Sequence, residues 1–237
     1  MFSKKLLMPV IHVESTSCES IFQNIDKCLS ANIKAIWLIS HGYLNFVQLK
    51  NVFKKVKKKY PNLWIGCNFL DLDQNIFSQI KDIKLDGIWI DNSYQGLAFR
   101  EMEAEKLYLS WKNSNFNGIY FGGVAFKYCE QPFLLEKAVF TAKNCMDIIT
   151  TSGVSTGTAA DLKKLSLMKR ALNKGNPAKN TKLAVASGIS ILNIKDQIKF
   201  ADFFIVSSSL ESSSGVFSLE KLIELNLFIE NFNLSNS

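Results

Sequence analysis

With 237 residues, of which 47% are hydrophobic, the chain is long enough to bury a sizeable core within one domain. No apolar run approaches the roughly 20 uninterrupted residues of a membrane span, and residues 1–9 are too few for a secretory signal. We therefore expect a cytoplasmic protein with no membrane partner, whose net charge of +7 raises the question of nucleic acid.

Eight short apolar runs bounded by turn residues predict β-strands at fairly regular intervals along the chain. Most are nearly continuous hydrophobic runs, which is typical of parallel strands that are covered on both faces. The predicted strands are residues 8–13, 35–39, 64–69, 87–90, 118–126, 147–151, 183–187 and 203–207.

Segments with helical periodicity lie between the strands. The clearest apolar stripes are Ile21, Ile25, Cys28 and Leu29; Phe46, Leu49, Phe53 and Val56; Leu162, Leu165, Met168 and Leu172; and Leu219, Leu222, Ile223 and Ile229. The second stripe ends in the lysine-rich run 54–59, where cations suit the helix dipole. Because no basic motif with interleaved aromatic residues accompanies this run, the pattern argues against a nucleic-acid partner.

Eight strands alternating with helices favour an α/β fold, a single (β/α)8 TIM barrel, over an open doubly wound sheet. The first predicted strand is followed by Glu14 and Ser15 rather than by a Gly-rich turn, which removes the main support for a dinucleotide-binding fold. No composition shift marks a boundary, so residues 1–237 form one predicted domain. We expect loop 175–181 on the face opposite the site and a frayed tail from about Asn231.

Functional groups of such a barrel lie where its strands end. His12 ends the first strand and Asp91 the fourth, while Lys127 follows the fifth. His12 and Glu14 are two residues apart on one strand and share a face, so this histidine and carboxylate can serve as general acid or base. A lysine at the mouth can bind an anion or form a Schiff base. We therefore take His12, Lys127 and Asp91 as the candidate catalytic residues. A packed histidine and an idle rim lysine are the alternatives.

Further polar residues at the strand ends are candidates for substrate binding. They are His41, Asn68, Thr151 and Thr156. Asp71 and Asp73 can instead cap the helix that follows them, which requires no ligand. No ligand spacing for a metal is evident, and the five cysteines lack the C-x-x-C spacing of a zinc site. We predict neither a metal nor a cofactor.

The seventh and eighth strands both run into glycine or serine, a pattern that suits phosphate. Glycine permits close backbone approach, and serine hydroxyls donate hydrogen bonds. The candidate phosphate-binding residues are Gly188, Ser190, Ser208 and Ser209. Against this, the carboxylate of Glu211 would repel an anion at Ser209, and small residues also occur simply as turns.

The order of several motifs resembles the BtpA family of TIM-barrel proteins, named for a factor in photosystem I biogenesis. The motifs are His12 in Val10-Ile-His-Val13, Gly66-Cys-Asn-Phe69, Phe126-Lys127, Thr151-Ser-Gly-Val-Ser-Thr-Gly157 followed by Asp161, Ala186-Ser-Gly-Ile-Ser190 and Ala201-Asp-Phe-Phe-Ile-Val-Ser-Ser-Ser-Leu210. The resemblance implies a phosphate-binding barrel and adds Asp161 to the candidate substrate-binding residues. Ser40-His41 and Ser207 depart from the family pattern, which fits altered specificity or lost activity.

Three functions follow from these observations. The first is an enzyme that acts on a small phosphorylated metabolite, a sugar phosphate or nucleotide-like compound, by acid/base or lyase- or transferase-type chemistry without redox. The second, suggested by the family resemblance, is a non-catalytic factor for the assembly or stability of another protein. The third is a nucleic-acid binder that uses the lysine run. The substrate, the reaction and the oligomeric state, including a homo-oligomer, are left open.

Overall fold

The computed structural model describes residues 3–70, 72, 74–174 and 181–236. Eight parallel strands pair in chain order and close when the first strand pairs with the eighth. This confirms the predicted (β/α)8 barrel. The strands are β1 Leu6–His12, β2 Ala35–Ile39, β3 Trp64–Asn68, β4 Gly87–Ile90, β5 Ile119–Gly123, β6 Ile148–Ser152, β7 Lys182–Ala186 and β8 Phe203–Val206.

Helices follow the strands and form the outer layer. They are α1 Glu19–Ser30, α2 Phe46–Lys59, α3 Ile76–Ile80, α4 Glu101–Asn113, α5 Leu135–Ala142, α6 Leu162–Asn173, α7 Ile194–Gln197 and α8 Leu219–Ser235. After β8 the chain makes a single 3-10 turn, Ser208–Leu210, and a small hairpin of β9 Glu211–Ser213 and β10 Val216–Phe217. In the part of the chain that the structure describes, no helix has the length and hydropathy to cross a bilayer.

Alternate residues of each strand face the barrel interior or the helix layer. The interior is filled largely by aromatic side chains, with Trp37 at its centre. The Trp37 ring makes edge contacts with Trp64, Trp89 and Phe121 at centroid distances of 5.1, 5.8 and 4.9 Å. This packing blocks the barrel below its mouth, so a ligand has access only to the layer above Trp89.

The C-terminal tail differs from the prediction. Instead of fraying near residue 231, α8 continues to Ser235. The side chain of Asn233 accepts a hydrogen bond from the Lys5 backbone N–H at 3.1 Å and donates one to the Lys5 carbonyl at 2.9 Å. These two bonds pin the last turn of the helix to the start of β1. The predicted loop 175–181, apart from Thr181, and the predicted caps Asp71 and Asp73 lie outside the described residues.

Candidate active site at the barrel mouth

A cavity of about 340 Å³ opens at the carboxyl ends of the strands, and we call it the mouth cavity. Nine of the twelve predicted site residues line it: His12, His41, Asp91, Lys127, Thr156, Gly188, Ser190, Ser208 and Ser209. Asn68, Thr151 and Asp161 do not. The structure therefore brings most of the candidate residues together on one surface, and the other three lie outside the cavity.

Asp91 is held by Asn68 on the neighbouring strand. The Asn68 amide donates to Asp91 Oδ1 at 2.8 Å, and Asn68 itself is buried away from the mouth cavity. Burial raises the pKa of the Asp91 carboxyl, while the Asn68 hydrogen bond and the charge of Lys127 oppose the rise. Asn68 therefore positions Asp91 and is not a wall of the cavity, in contrast to the substrate-binding role predicted for it.

Lys127 extends across the mouth from the loop after β5. Its backbone N–H donates to Ser152 Oγ at 2.8 Å, and its ammonium donates to Thr156 Oγ1 at 3.1 Å. Partial burial lowers the pKa of Lys127, and the charge of Asp91 opposes this effect. The Tyr128 hydroxyl also accepts from the Thr156 backbone N–H at 3.0 Å, which ties the same two loops together at the rim.

A second lysine, Lys164 on α6, links the ends of β5 and β6 by hydrogen bonds and does not line the mouth cavity. Its ammonium donates to the carbonyl oxygens of Ala125 at 2.5 Å and Ser152 at 2.9 Å. Burial lowers the pKa of Lys164 to about 8. We call this contact the Lys164 clamp. It fixes the backbone on which Lys127 stands.

Two predicted substrate-binding residues, Thr151 and Asp161, lie outside the mouth cavity and make contacts beside the Lys164 clamp. Thr151 faces the helix layer, fully buried, and its hydroxyl donates to the Ala125 carbonyl at 3.2 Å. Asp161 is the N-cap of α6, where its carboxylate accepts from the Lys164 backbone N–H at 3.0 Å. Both residues support the loops of the site without reaching the mouth cavity.

The four predicted phosphate-binding residues come together at the β7 and β8 loops. Asn193 shapes the first loop: its side chain accepts from the Ser190 N–H at 3.0 Å and donates to the Gly188 carbonyl at 2.7 Å. Ser209 Oγ donates to the Ile189 carbonyl and so links the two loops. Among the described residues, the backbone N–H groups of Gly188, Ser208 and Ser209 have no hydrogen-bond acceptor.

Glu211 does not line the mouth cavity, although the sequence predicts that it would repel an anion there. Its carboxylate accepts from Ser207 Oγ at 3.0 Å and from the Gly215 N–H at 3.3 Å. Ser207, one of the departures from the family pattern, thus holds the carboxylate at the base of the β9–β10 hairpin. The charge still reaches His12, where it opposes the fall in pKa.

The two histidines form a stacked pair on the β1–β2 side of the mouth. The centroids of the His12 and His41 rings lie 5.0 Å apart, with 23° between their planes. Neither imidazole has a hydrogen-bond partner among the described residues. Burial lowers the pKa of both, with Lys127 adding to the effect at each and His12 adding to it at His41. Both rings are therefore neutral near pH 7. No three His, Cys, Asp or Glu side chains cluster for a metal within the described ranges.

This pair makes stability depend on pH. Because the folded chain resists protonation of His12 and His41, the unfolded chain binds more protons below the ordinary imidazole pKa of 6.5. We expect their contribution to the free energy of unfolding to be complete above that pH and to be lost as the pH falls below it. Urea denaturation between about pH 7.5 and pH 5 measures this decline.

The double variant His12→Asn/His41→Asn should decline less steeply over the same range, because Asn does not titrate. Parallel stability curves for the two proteins would contradict the assignment of the decline to this pair. The two proteins share all of their carboxylates, so the difference between their two slopes measures the contribution of the histidine pair.

Several residues of the mouth cavity were not predicted as site residues. Trp89, Phe126 and Asn193 line it, and Tyr128 braces it. The sequence could have indicated Trp89, because it lies two residues before Asp91 and therefore shares the same face of the strand. Asn193 and Tyr128 give no such signal, since their roles arise from the path of a loop.

Comparison with solved structures supports the fold. No family model matches the chain, and no curated protein matches it either. Among solved structures it is similar to the native KDPGal structure at 12% identity and a TM-score of 0.67, over 99% of this chain and 98% of that one. Another is 3-keto-L-gulonate-6-phosphate decarboxylase from Vibrio cholerae O1 biovar El Tor str. N16961, at 12% identity and a TM-score of 0.66, over 96% and 99%.

A third similar structure is (S)-3-O-geranylgeranylglyceryl phosphate synthase from Thermoplasma acidophilum in complex with its substrate sn-glycerol-1-phosphate. The identity is 13% and the TM-score 0.64, over 97% of this chain and 94% of that one. At these identities the likeness concerns the fold alone. The chain is a (β/α)8 TIM barrel over nearly its whole length.

Proposed function

We propose that this protein is an enzyme that acts on a small phosphorylated metabolite bound in the mouth cavity. One observation carries the proposal: three backbone N–H groups without acceptors, on Gly188, Ser208 and Ser209, share a cavity with the ammonium of Lys127. Backbone N–H groups and a cation together are the chemistry that binds phosphate in proteins.

The other polar groups that line the cavity suit proton transfer. Burial raises the pKa of the Asp91 carboxyl, so it takes up a proton more readily than an exposed carboxyl, and the neutral rings of His12 and His41 can accept a proton. Lys127 lines the same cavity and can stabilise negative charge that develops on the substrate. An acid/base, lyase or transferase reaction fits these groups.

The names of similar barrels support the ligand class. The decarboxylase and the synthase described above are named for a sugar-acid phosphate and a glyceryl phosphate. We extend the ligand class, and not the reactions, to this chain. The resemblance to the BtpA family remains part of the proposal and is supported by the motifs from His12 to Leu210. The cytoplasmic location that the composition suggests also remains part of it.

A second candidate is a non-catalytic factor for the assembly or stability of another protein. Phe99 and Phe133 favour it, because each is 94% exposed and presents apolar surface to a partner protein. This candidate and the enzyme differ in one measurable respect. The assembly factor requires no phosphorylated ligand.

A thermal-shift screen with inorganic phosphate, sugar phosphates and nucleotides tests the proposal. A ligand at about 100 times its dissociation constant adds about 2.7 kcal/mol to the stability of the folded state. For a domain of this size, we expect a rise in Tm of about 5–10 °C. The same sugars without phosphate serve as controls and should give no shift. If no phosphorylated compound shifts the Tm, the enzyme proposal fails.

A further inference from the structure

A groove of about 510 Å³ lies between helices α4 and α5 on the outside of the barrel, and we call it the α4–α5 groove. None of its lining residues belongs to a barrel strand. The segment before α4 packs directly on α5, since a Cβ added at Gly96 would lie 2.4 Å from the Ala138 Cβ. Helix α4, which the structure describes throughout, buries only Leu107. The space beside α4 is therefore left open, and Leu97 and Leu134 give it an apolar lining.

Two phenylalanine rings protrude beside this groove. Phe133 lines it, Phe99 directly follows Ala98, which also lines it, and both phenylalanines are 94% exposed. An ion pair between Arg100 Nε and Glu130 Oε2, 3.8 Å apart, brings together the segments that carry the two rings. A single exposed apolar side chain needs no explanation, but an apolar groove with two protruding rings forms a patch, and such patches mark interaction surfaces.

The walls of the α4–α5 groove carry opposite charges. Glu101 and Glu105 lie one turn apart on α4, and Lys137 lies on α5. All three residues are exposed, and none of them belongs to an ion pair within the described part of the chain. Their charges are therefore available to a partner.

We infer that this face of the protein binds the same face of a second copy of the chain, in a dimer with two-fold symmetry. A two-fold axis brings a surface against its own image, so the surface must complement itself. This one does, because it combines protruding rings with a groove and an acidic wall with a basic wall. Phe99 of each copy enters the groove of the other, and Lys137 of each copy faces Glu101 and Glu105 of the other. The inference does not depend on the phosphorylated ligand and goes beyond the proposed function.

The aromatic area agrees with what a stable dimer needs. An aromatic side chain buries about 150–250 Å², so Phe99 and Phe133 of two copies supply about 600–1,000 Å². A stable interface buries about 1,200–2,000 Å² in total. The four rings thus cover about half of it, which leaves the remainder to neighbouring exposed side chains such as Met102 and Leu134. A dimer of this kind also accounts for Phe99 and Phe133 without an unlike partner protein.

Sedimentation velocity of the full chain from about 1 to 100 μM tests the inference by mass action. We expect the wild-type protein to sediment as a dimer at the upper end of this range. Phe99→Ser and Phe133→Ser should each raise the dissociation constant of the dimer by at least about 30-fold, the effect of about 2 kcal/mol that defines a binding hot spot. Leu192→Ser is the matched control, because Leu192 is 91% exposed but does not line the groove. Its dimer should dissociate as the wild-type dimer does.

An exchange of charges provides a second test that does not depend on the rings. Lys137→Glu sets carboxylates against each other across the dimer, and Glu101→Lys/Glu105→Lys does the same with ammonium groups. Each variant alone should dimerise at least about 10-fold more weakly than the wild type, because like charges across an interface oppose association. In an equimolar mixture of the two variants, each α4 wall meets an α5 wall of opposite charge. A heterodimer should therefore form, which a merely misfolded variant could not do.

Three results would overturn the inference. One is a wild-type protein that stays monomeric up to about 100 μM. Another is a dimer that both Phe99→Ser and Phe133→Ser leave intact, since its interface would then lie elsewhere. The third is a mixture of the two charge variants that dimerises no better than either variant alone. If Phe99→Ser or Phe133→Ser fails to fold, the charge variants decide the question.

Discussion

Replacement of Lys127 by methionine is expected to weaken the binding of a phosphorylated ligand by about 10- to 100-fold. The expectation rests on the loss of one charge-assisted hydrogen bond, which contributes about 1.5–3 kcal/mol. Because the ammonium is half-buried in the mouth cavity, solvent replaces it poorly. Isothermal titration with the compound that gives the largest thermal shift measures the change. We expect the stability of the variant to change little, since methionine preserves the apolar stem and the bond to Thr156 that it removes is exposed to solvent.

Lys163→Met is the matched control for this variant. Lys163 is exposed on α6, does not line the mouth cavity, and its replacement removes the same charge from the protein. Its effect on binding should be less than about twofold, because exposed charges at a distance are screened by salt. If both lysine variants weaken binding equally, net charge and not the position of Lys127 explains the affinity. If neither does, Lys127 has no role in anion binding.

Replacement of Gly188 by alanine is expected to cost about 2–5 kcal/mol of folding stability. Gly188 has a φ of +66°, and an added Cβ would lie 2.1 Å from the Ala159 nitrogen and 2.2 Å from the Thr158 carbonyl carbon. The positive φ costs about 1–2 kcal/mol for a residue with a side chain. Relief of the overlap costs about 1–3 kcal/mol more, because the atoms that must move are backbone. Urea denaturation measures the loss, and Tm should fall by about 4–20 °C.

Gly157→Ala separates the two causes. Gly157 also lines the mouth cavity and has a φ of +79°, but an added Cβ would meet nothing within 4 Å. This variant should lose only the backbone contribution, about 1–2 kcal/mol. Similar losses in the two variants would show that the β6 loop yields to the Cβ at Gly188. The close approach of the two loops would then be less rigid than the structure indicates.

The fold could be predicted from the sequence because each barrel strand is a separate apolar run. β2 and β4 were predicted with the bounds that the structure shows, and the remaining strands differ by a few residues at their ends. Such small shifts matter little for fold class. The site depends on a different property, the phase of the alternation along each strand, which decides whether a side chain faces the interior or the helices.

Strand β6 shows this effect. The sequence predicts a strand over 147–151 whose last residue, Thr151, faces the mouth, whereas the structure has Ile148–Ser152. Ile148 packs with the residues of the barrel interior and Ile149 with those of the helix layer. By alternation, Thr150 and Ser152 face the interior and Thr151 faces the helices. Apolar periodicity could not resolve this, because β6 is buried on both faces and both phases look alike. Loop residues such as Asn193 were beyond prediction for another reason: their contacts depend on the path of two loops that are distant in sequence.

The Lys164 clamp divides the mouth into a stiff half and an adaptable half. One ammonium holds the β5 and β6 loops, so Lys127 and Thr156 keep their relative position before any ligand arrives. Binding of a ligand there would therefore cost little conformational entropy of the protein, because these side chains are already ordered. The imidazoles of His12 and His41, by contrast, have no hydrogen bonds within the described chain to hold them. Differences in the shape of a bound molecule should therefore be accommodated on the histidine side, while the lysine side acts as a fixed template.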